Sequence, residues 1–162
     1  LNVIEIPRDL ASPNRAFFLD RIPEILTPSV VENLPPYFHG IDSPELAQAW
    51  LVRMLTESRL FLVETAESTL IGFLFASSGE DRETHVGYLL AEGYWGKGLA
   101  SELLQGFIGK ASEIGPWTKL VCGVDPANVA SAHLLKKLGF IERKNNGDGA
   151  VFYEYVFPQP QS

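Results

Sequence analysis

Apolar residues recur along the chain with two periods. Between 42 and 59, in "DSPELAQAWLVRMLTESR", Leu46, Ala47, Trp50, Leu51, Met54 and Leu55 fall three and four apart. That spacing predicts an amphipathic helix, with Ser43 as its cap and Pro44 at its first position. Beyond it the period shortens to two. "LFLVET", "LIGFLFAS" and "RETHVGYLLA" read as strands separated by "AEST" and "SGED", a layout that suits an antiparallel meander. The third strand runs into "GYWGKG". Helical spacing then resumes with Leu99, Leu103, Leu104, Phe107, Ile108 and Ala111, and Gly106 and Gly109 are expected to let that helix lie close to a sheet.

"KLVCGV" predicts a buried strand, and "DPANVASAHLLKKLGF" a helix with Asp125 as cap, Pro126 at its first position and Gly139 as a left-handed stop. Two closing strands, "FIERKN" and "AVFYEYVF", flank the turn "NGDG". The first 40 residues are less patterned. "LNVIEI" suits a first strand, and prolines at 7, 13, 23, 28, 35 and 36 limit the stretch after it to short helices and turns. Hairpins give antiparallel pairs and helical crossovers give parallel ones, so the fold class is α/β (α+β). It has a mixed, mostly antiparallel central sheet flanked by helices, and a glycine turn between the fourth strand and the next helix.

At 162 residues a single domain is expected, with disorder confined to the tail "PQPQS". Thirteen basic against twenty acidic residues give a net charge of −7, which speaks against nucleic acid and membrane partners and mildly favours a neutral or cationic one. Cys122 is the sole cysteine, so an intrachain disulfide and a thiolate metal cluster are excluded, and a cytoplasmic setting is expected. No apolar run nears the roughly 18 residues of a bilayer span, and no basic-then-apolar leader is read. The chain begins at Leu1 rather than Met, which leaves open whether a few native residues precede it. His39, His85 and His133 lack metal-ligand spacing, so no metal is expected.

Gly93, Gly96 and Gly98 precede a helix start, where about four backbone N–H groups lack partners and the helix dipole is positive; Lys97 adds a cation. An anion, above all a phosphate, suits such a turn. The alternative is a tight turn whose glycines only supply positive φ. A P-loop would place Ser or Thr after Lys97, where Gly98 stands, and a dinucleotide fingerprint has the order G-x-G-x-x-G rather than the G-x-x-G-x-G found here. Asn128 and Ser131, three apart on one predicted helix, share a face and can meet one ligand.

"YWGKGLASELL", followed after a strand by "NVASAHLLKKLGF", resembles the GNAT superfamily of acetyl-CoA-dependent N-acetyltransferases. Within it, "GY", "YWGKG" and the "N-x-x-S…LGF" ending look most like the RimJ/RimL branch of protein N-terminal acetyltransferases. The family's loop pattern is Q/R-x-x-G-x-G/A; Trp95, Gly96, Lys97, Gly98, Leu99 and Ala100 occupy it, and Trp95 departs from it.

The resemblance implies one GNAT-like domain, with residues 1–58 on the acceptor side and 60–157 as the acetyl-CoA-binding core. It implies that backbone N–H groups of Gly96, Lys97, Gly98, Leu99, Ala100 and Ser101 hold the coenzyme's pyrophosphate. Tyr88, Leu89 and Leu90 would bulge and pair with the pantetheine arm. Leu90 would then donate its N–H to the thioester oxygen, and Asn128 would lie against the coenzyme.

Many members carry a tyrosine where Leu135 stands, so protonation of the departing thiolate falls to Ser131, whose plainer reading is a helix-face hydroxyl. His85 is the first candidate for general base and Glu83 the second, His85 otherwise being a partly exposed strand residue. The expected function is direct acetyl transfer to a primary amine. Peptide N-termini, polyamines, aminoglycosides and amino acids all stay open as acceptors, as does an oligomer. The alternatives are a non-catalytic acyl-CoA-binding sensor and an unrelated nucleotide-binding module.

Overall fold

The computed structural model describes residues 1–6, 19–32, 34, 36–78, 83–110, 117–143 and 151–157. The turn "NGDG", Ala111, the prolines at 7, 13 and 35, most of "SGED" and the tail "PQPQS" lie outside them. Seven strands form one sheet: β1 (Asn2–Glu5), β2 (Arg59–Glu64), β3 (Leu70–Ser78), β4 (Glu83–Leu90), β5 (Lys119–Val124), β6 (Ile141–Glu142) and β7 (Val151–Val156). Their order is β1-β2-β3-β4-β5-β7-β6. β1 and β2, β5 and β7, and β6 and β7 pair antiparallel, while β4 and β5 pair parallel. The parallel pair, β4 and β5, is joined through the helix Leu99–Gly109, since parallel neighbours need a long crossover. This is the mixed, mostly antiparallel sheet that the patterning predicts.

Two compact units divide the chain, Leu1–Phe75 with Tyr88–Leu103, and Ala76–Gly87 with Leu104–Ser162. In the first, helices α1 (Ile22–Ile25) and α2 (Pro28–Val31) each run four residues and carry a proline, Pro23 or Pro28, in the first two positions. A 3₁₀ turn follows at Pro36–Phe38.

Helix α3 (Pro44–Glu57) begins as its sequence predicts, with Ser43 Oγ accepting from the Leu46 N–H at 3.2 Å. It buries Ala47, Trp50, Leu51, Met54 and Leu55. Leu46 departs from expectation and stays 44% exposed, because at 100° per residue it falls about a quarter turn or more from the stripe's centre. Trp50 packs edge-on against Phe73 at 5.1 Å and Phe38 at 5.8 Å, an aromatic group set within a largely aliphatic core.

Helix α4 (Leu99–Gly109) starts in the first unit and ends in the second, burying Leu103, Leu104 and Phe107. Gly106 and Gly109 are exposed with nothing within 4 Å of an added Cβ, so the close approach expected of them does not occur. In the second unit β5 buries Leu120, Val121 and Cys122. Lys144 and Asn145 of "FIERKN" lie outside the described residues; its described part gives the two-residue strand β6, prolonged by the Arg143 N–H donating to Phe152 C=O at 2.8 Å.

Helix α5 (Val129–Lys137) starts later than the sequence suggests. Asp125 closes a local turn instead, its Oδ1 accepting from the Ala127 N–H at 2.8 Å, and Asn128 is the cap. The helix end matches the reading of "LGF". Gly139 stands at φ 102°, its N–H donating to Lys136 C=O, while the Phe140 N–H donates to Leu135 C=O at 2.9 Å. These paired bonds, with buried Leu135 and Phe140 at the two ends, form a Schellman ending. Replacing Gly139 by Ala puts a Cβ in the left-handed region and should destabilise the protein by about 1–2 kcal/mol, read as a lower urea midpoint with an unchanged m-value.

Candidate functional site

The glycine turn and the end of β4 that leads into it, from Tyr88 on, lie in the first unit. At the end of β4 the Leu89 carbonyl oxygen occupies the place a side chain on Gly72 would need, nearer to it than the Leu89 carbon at 3.2 Å. Only glycine at 72 admits that approach. The Ala91 N–H then donates to Ile71 C=O at 2.7 Å, so β3 holds the strand end at two successive peptides.

A 3₁₀ turn, Glu92–Tyr94, comes next, and the Trp95 indole N–H donates back to Leu90 C=O at 2.8 Å. Gly96 and Gly98 stand at φ 74° and 75° with no atom within 4 Å of an added Cβ, whereas Gly93 takes no positive φ. The turn is therefore open on its Cβ side as well as left-handed in its backbone.

The first helical bond of α4 runs from the Glu102 N–H to Gly98 C=O at 3.2 Å. The N–H groups of Leu99, Ala100 and Ser101 belong to its first turn, which has no intrahelical acceptors for them. Lys97 is exposed, with its Nζ 5.5 Å from the Tyr94 ring centre. Two bare left-handed glycines, a cation and the positive end of an eleven-residue helix make a cradle suited to a diphosphate. Leu89 and Leu90 are buried and Tyr88 partly so.

The other candidate residues lie in the second unit. The parallel register runs Glu83↔Lys119, Thr84↔Leu120 and His85↔Val121, and Val86 and Gly87 do not continue it with Cys122 and Gly123. Glu83 and His85 share a strand face at this paired end. One Glu83 oxygen accepts from Arg143 and the other lies 3.6 Å from His85 Nε2. Arg143 Nε also meets Glu154 at 2.9 Å, and Lys119 Nζ meets Glu154 at 3.5 Å. The Arg143 guanidinium bound to Glu83 holds that carboxyl below the usual carboxylate range. A carboxylate so held is a poor proton acceptor, whereas the His85 side chain is 43% exposed.

Asn128 and Ser131 stand at the other end of β5. His85 pairs with Val121, three residues or about 10 Å before the strand's end, and Asn128 follows that end. Asn128 and Ser131 are joined by a capping contact, in which Asn128 Oδ1 accepts from the Ser131 N–H at 3.2 Å. Leu135 is fully buried. Burial pushes the Cys122 thiol up to about 12, in keeping with a core residue. Among the described residues no group of three or more His, Cys, Asp or Glu is placed to hold a metal.

Three contributors are not apparent from the sequence patterns above: Gly72, Arg143 and the donor role of Trp95. An isolated glycine inside "LIGFLFAS" is a recognised sign of close backbone approach, so Gly72 was findable. Arg143 gave no such signal, because it comes from a segment 60 residues from its partner.

The family profile described as Acetyltransferase (GNAT) domain matches residues 19–141. A search of curated proteins finds no match. Among solved structures, the ribosomal-protein-alanine N-acetyltransferase of Brucella melitensis is 18% identical with a TM-score of 0.68, the match covering 97% of this chain and 100% of that one. The Salmonella typhimurium protein yncA, solved with its cofactor acetyl-CoA, is 16% identical with a TM-score of 0.67, over 99% and 96% of the two chains. A spermidine N-acetyltransferase chimera of Vibrio cholerae SpeG and hSSAT is 18% identical with a TM-score of 0.69, over 96% of each. At these identities the likeness is one of fold.

Because Glu83 has a depressed pKa in the folded state, its pairing adds stability above the unfolded carboxylate value of about 4.3 and loses it as pH falls through the lower folded value. Arg143→Ala should therefore be less stable than the parent at pH 7, with the difference closing as pH drops below about 4, measured by thermal melts across pH.

Proposed function

The chain belongs to the acetyltransferase (GNAT) family, and we propose that it transfers the acetyl group of acetyl-CoA directly to a primary amine. The observation that carries this reading is the open turn at Gly96 and Gly98 ahead of α4, in a chain of that family. In the proposal, backbone N–H groups from Gly96 to Ser101 bind the diphosphate, with Lys97 adding charge. Tyr88, Leu89 and Leu90 pair with the pantetheine arm, Asn128 borders the coenzyme, and the Leu90 N–H donates to the thioester oxygen as negative charge grows there. When bound, the coenzyme supplies an activated acetyl group on a sulfur leaving group. We assign to Ser131 the proton that the departing thiolate takes up; with a thiol pKa near 8.5 this help is worth only a moderate rate factor.

The amine must react in its neutral form. A peptide α-amino group of pKa about 8 is about one-tenth neutral at pH 7, whereas a lysine-type amine near 10.4 is neutral in well under about one part in a thousand. We assign proton acceptance to His85, exposed on its strand, and give Glu83 the task of stabilising the imidazolium that results. Residues 1–58 would shape the acceptor side. Two proteins of similar fold are named for a ribosomal-protein alanine and for spermidine, so a protein N-terminus and a polyamine are the acceptor classes proposed for this chain. The RimJ/RimL-like loop "YWGKG" favours the first.

One observation favours a second reading, an acyl-CoA sensor without catalysis: Leu135, buried where many relatives carry a tyrosine, offers no hydroxyl. Calorimetry with acetyl-CoA, followed by thiol release against a panel of amines, separates the two. Binding with amine-dependent release supports the enzyme, binding without release supports the sensor, and no binding removes both. Gly98→Val forces a β-branched residue to φ 75° and should abolish coenzyme binding, while Ser131→Ala should lower kcat with the coenzyme KM little changed. An unchanged kcat would take Ser131 out of the mechanism.

A further inference from the structure

We infer that Trp95 is a positioning residue, whose indole N–H occupies the Leu90 carbonyl so that the neighbouring Leu90 N–H is presented as a donor; this rests on the acetyl-CoA reading above. Peptide planarity sets the directions. The Leu89 carbonyl is aimed at Gly72 on β3, its oxygen ahead of its carbon. In a trans peptide the N–H points opposite to the C=O, so the Leu90 N–H is directed away from β3.

The next peptide is fixed independently. Its N–H, on Ala91, donates to Ile71 C=O on β3 at 2.7 Å. By the same rule the Leu90 C=O also points away from β3, and there it meets Trp95 Nε1 at 2.8 Å. Leu90 thus directs a donor and an acceptor to one side of the strand. A thioester oxygen approaching that donor would face the repulsive dipole of the adjacent carbonyl, and a hydrogen bond from the indole withdraws that oxygen's charge. The same bond closes the segment from Leu90 to Trp95 into a ring, anchoring the start of the glycine turn to the strand end.

Trp95 is 47% exposed, and the contact that ties its indole to the strand end is the N–H bond to Leu90 C=O. The pair Trp95→Phe and Trp95→Gln separates the ring from the N–H, the first keeping an aromatic ring without a donor and the second keeping an N–H donor without a ring.

The test is acetyl-CoA affinity by calorimetry, with amide hydrogen exchange over residues 90–96. Trp95→Phe should weaken acetyl-CoA binding about tenfold and speed exchange in that segment, and Trp95→Gln should recover most of the affinity. Parent-like affinity in Trp95→Phe overturns the inference. So does equal weakening in both variants, which would assign the effect to the ring. If Trp95→Phe fails to fold, Trp95→Gln alone decides, weakened binding overturning the inference and near-parent binding upholding it. A parent protein with no affinity for acetyl-CoA would remove the underlying reading, and the inference with it.

Discussion

The approach of the Leu89 carbonyl to Gly72 is the constraint on which the glycine turn of the first unit depends. A Cβ at 72 would collide with main-chain atoms of Leu89, which cannot rotate aside as a side chain end can. With that contact made and the Ala91 N–H bonded to Ile71 C=O, both peptides from Leu89 to Ala91 are oriented, and so is the direction in which Leu90 shows its polar groups. The turn after it then has a defined starting point. Gly96 and Gly98 complete the curve with left-handed backbone and leave the helix start uncovered.

The second unit organises charge rather than curvature. Arg143, at the end of a two-residue strand, joins Glu83 of β4 to Glu154 of β7 and leaves His85 as the exposed member of the group. Two acidic side chains on one sheet face would repel each other in isolation; a planar guanidinium between them turns the arrangement into a network. The partition also sorts the two proton acceptors that the sequence offered, because one is bound by a permanent cation and the other is not.

Local chemistry was legible in the sequence wherever a side chain acts on its own neighbourhood. The Ser43 cap, the Gly139 stop and the short helices with a proline in their first turn all depend on atoms a few residues away, and each stands as the pattern implies. Errors arose where two local solutions compete. Asp125-Pro126 and Asn128 both make acceptable helix starts, and the turn formed by Asp125 moved the cap to Asn128. Likewise Gly106 and Gly109 had a ready explanation in close packing, but face outward. The glycine turn was legible as an anion cradle by spacing. The grip on the strand before it was not, because Gly72 and Trp95 reach Leu89 and Leu90 from two sides that only the sheet brings together.

The depth of Cys122 has a practical consequence. It is the sole thiol in the chain, it is 3% exposed, and burial raises its ionisation far above neutral pH. Disulfide reagents react with thiolates, so the native protein should stay silent toward a colorimetric titrant over the course of an assay. Colour developed in a reaction mixture would then count liberated coenzyme directly, and a slow rise without substrate would instead report opening of the β5 core.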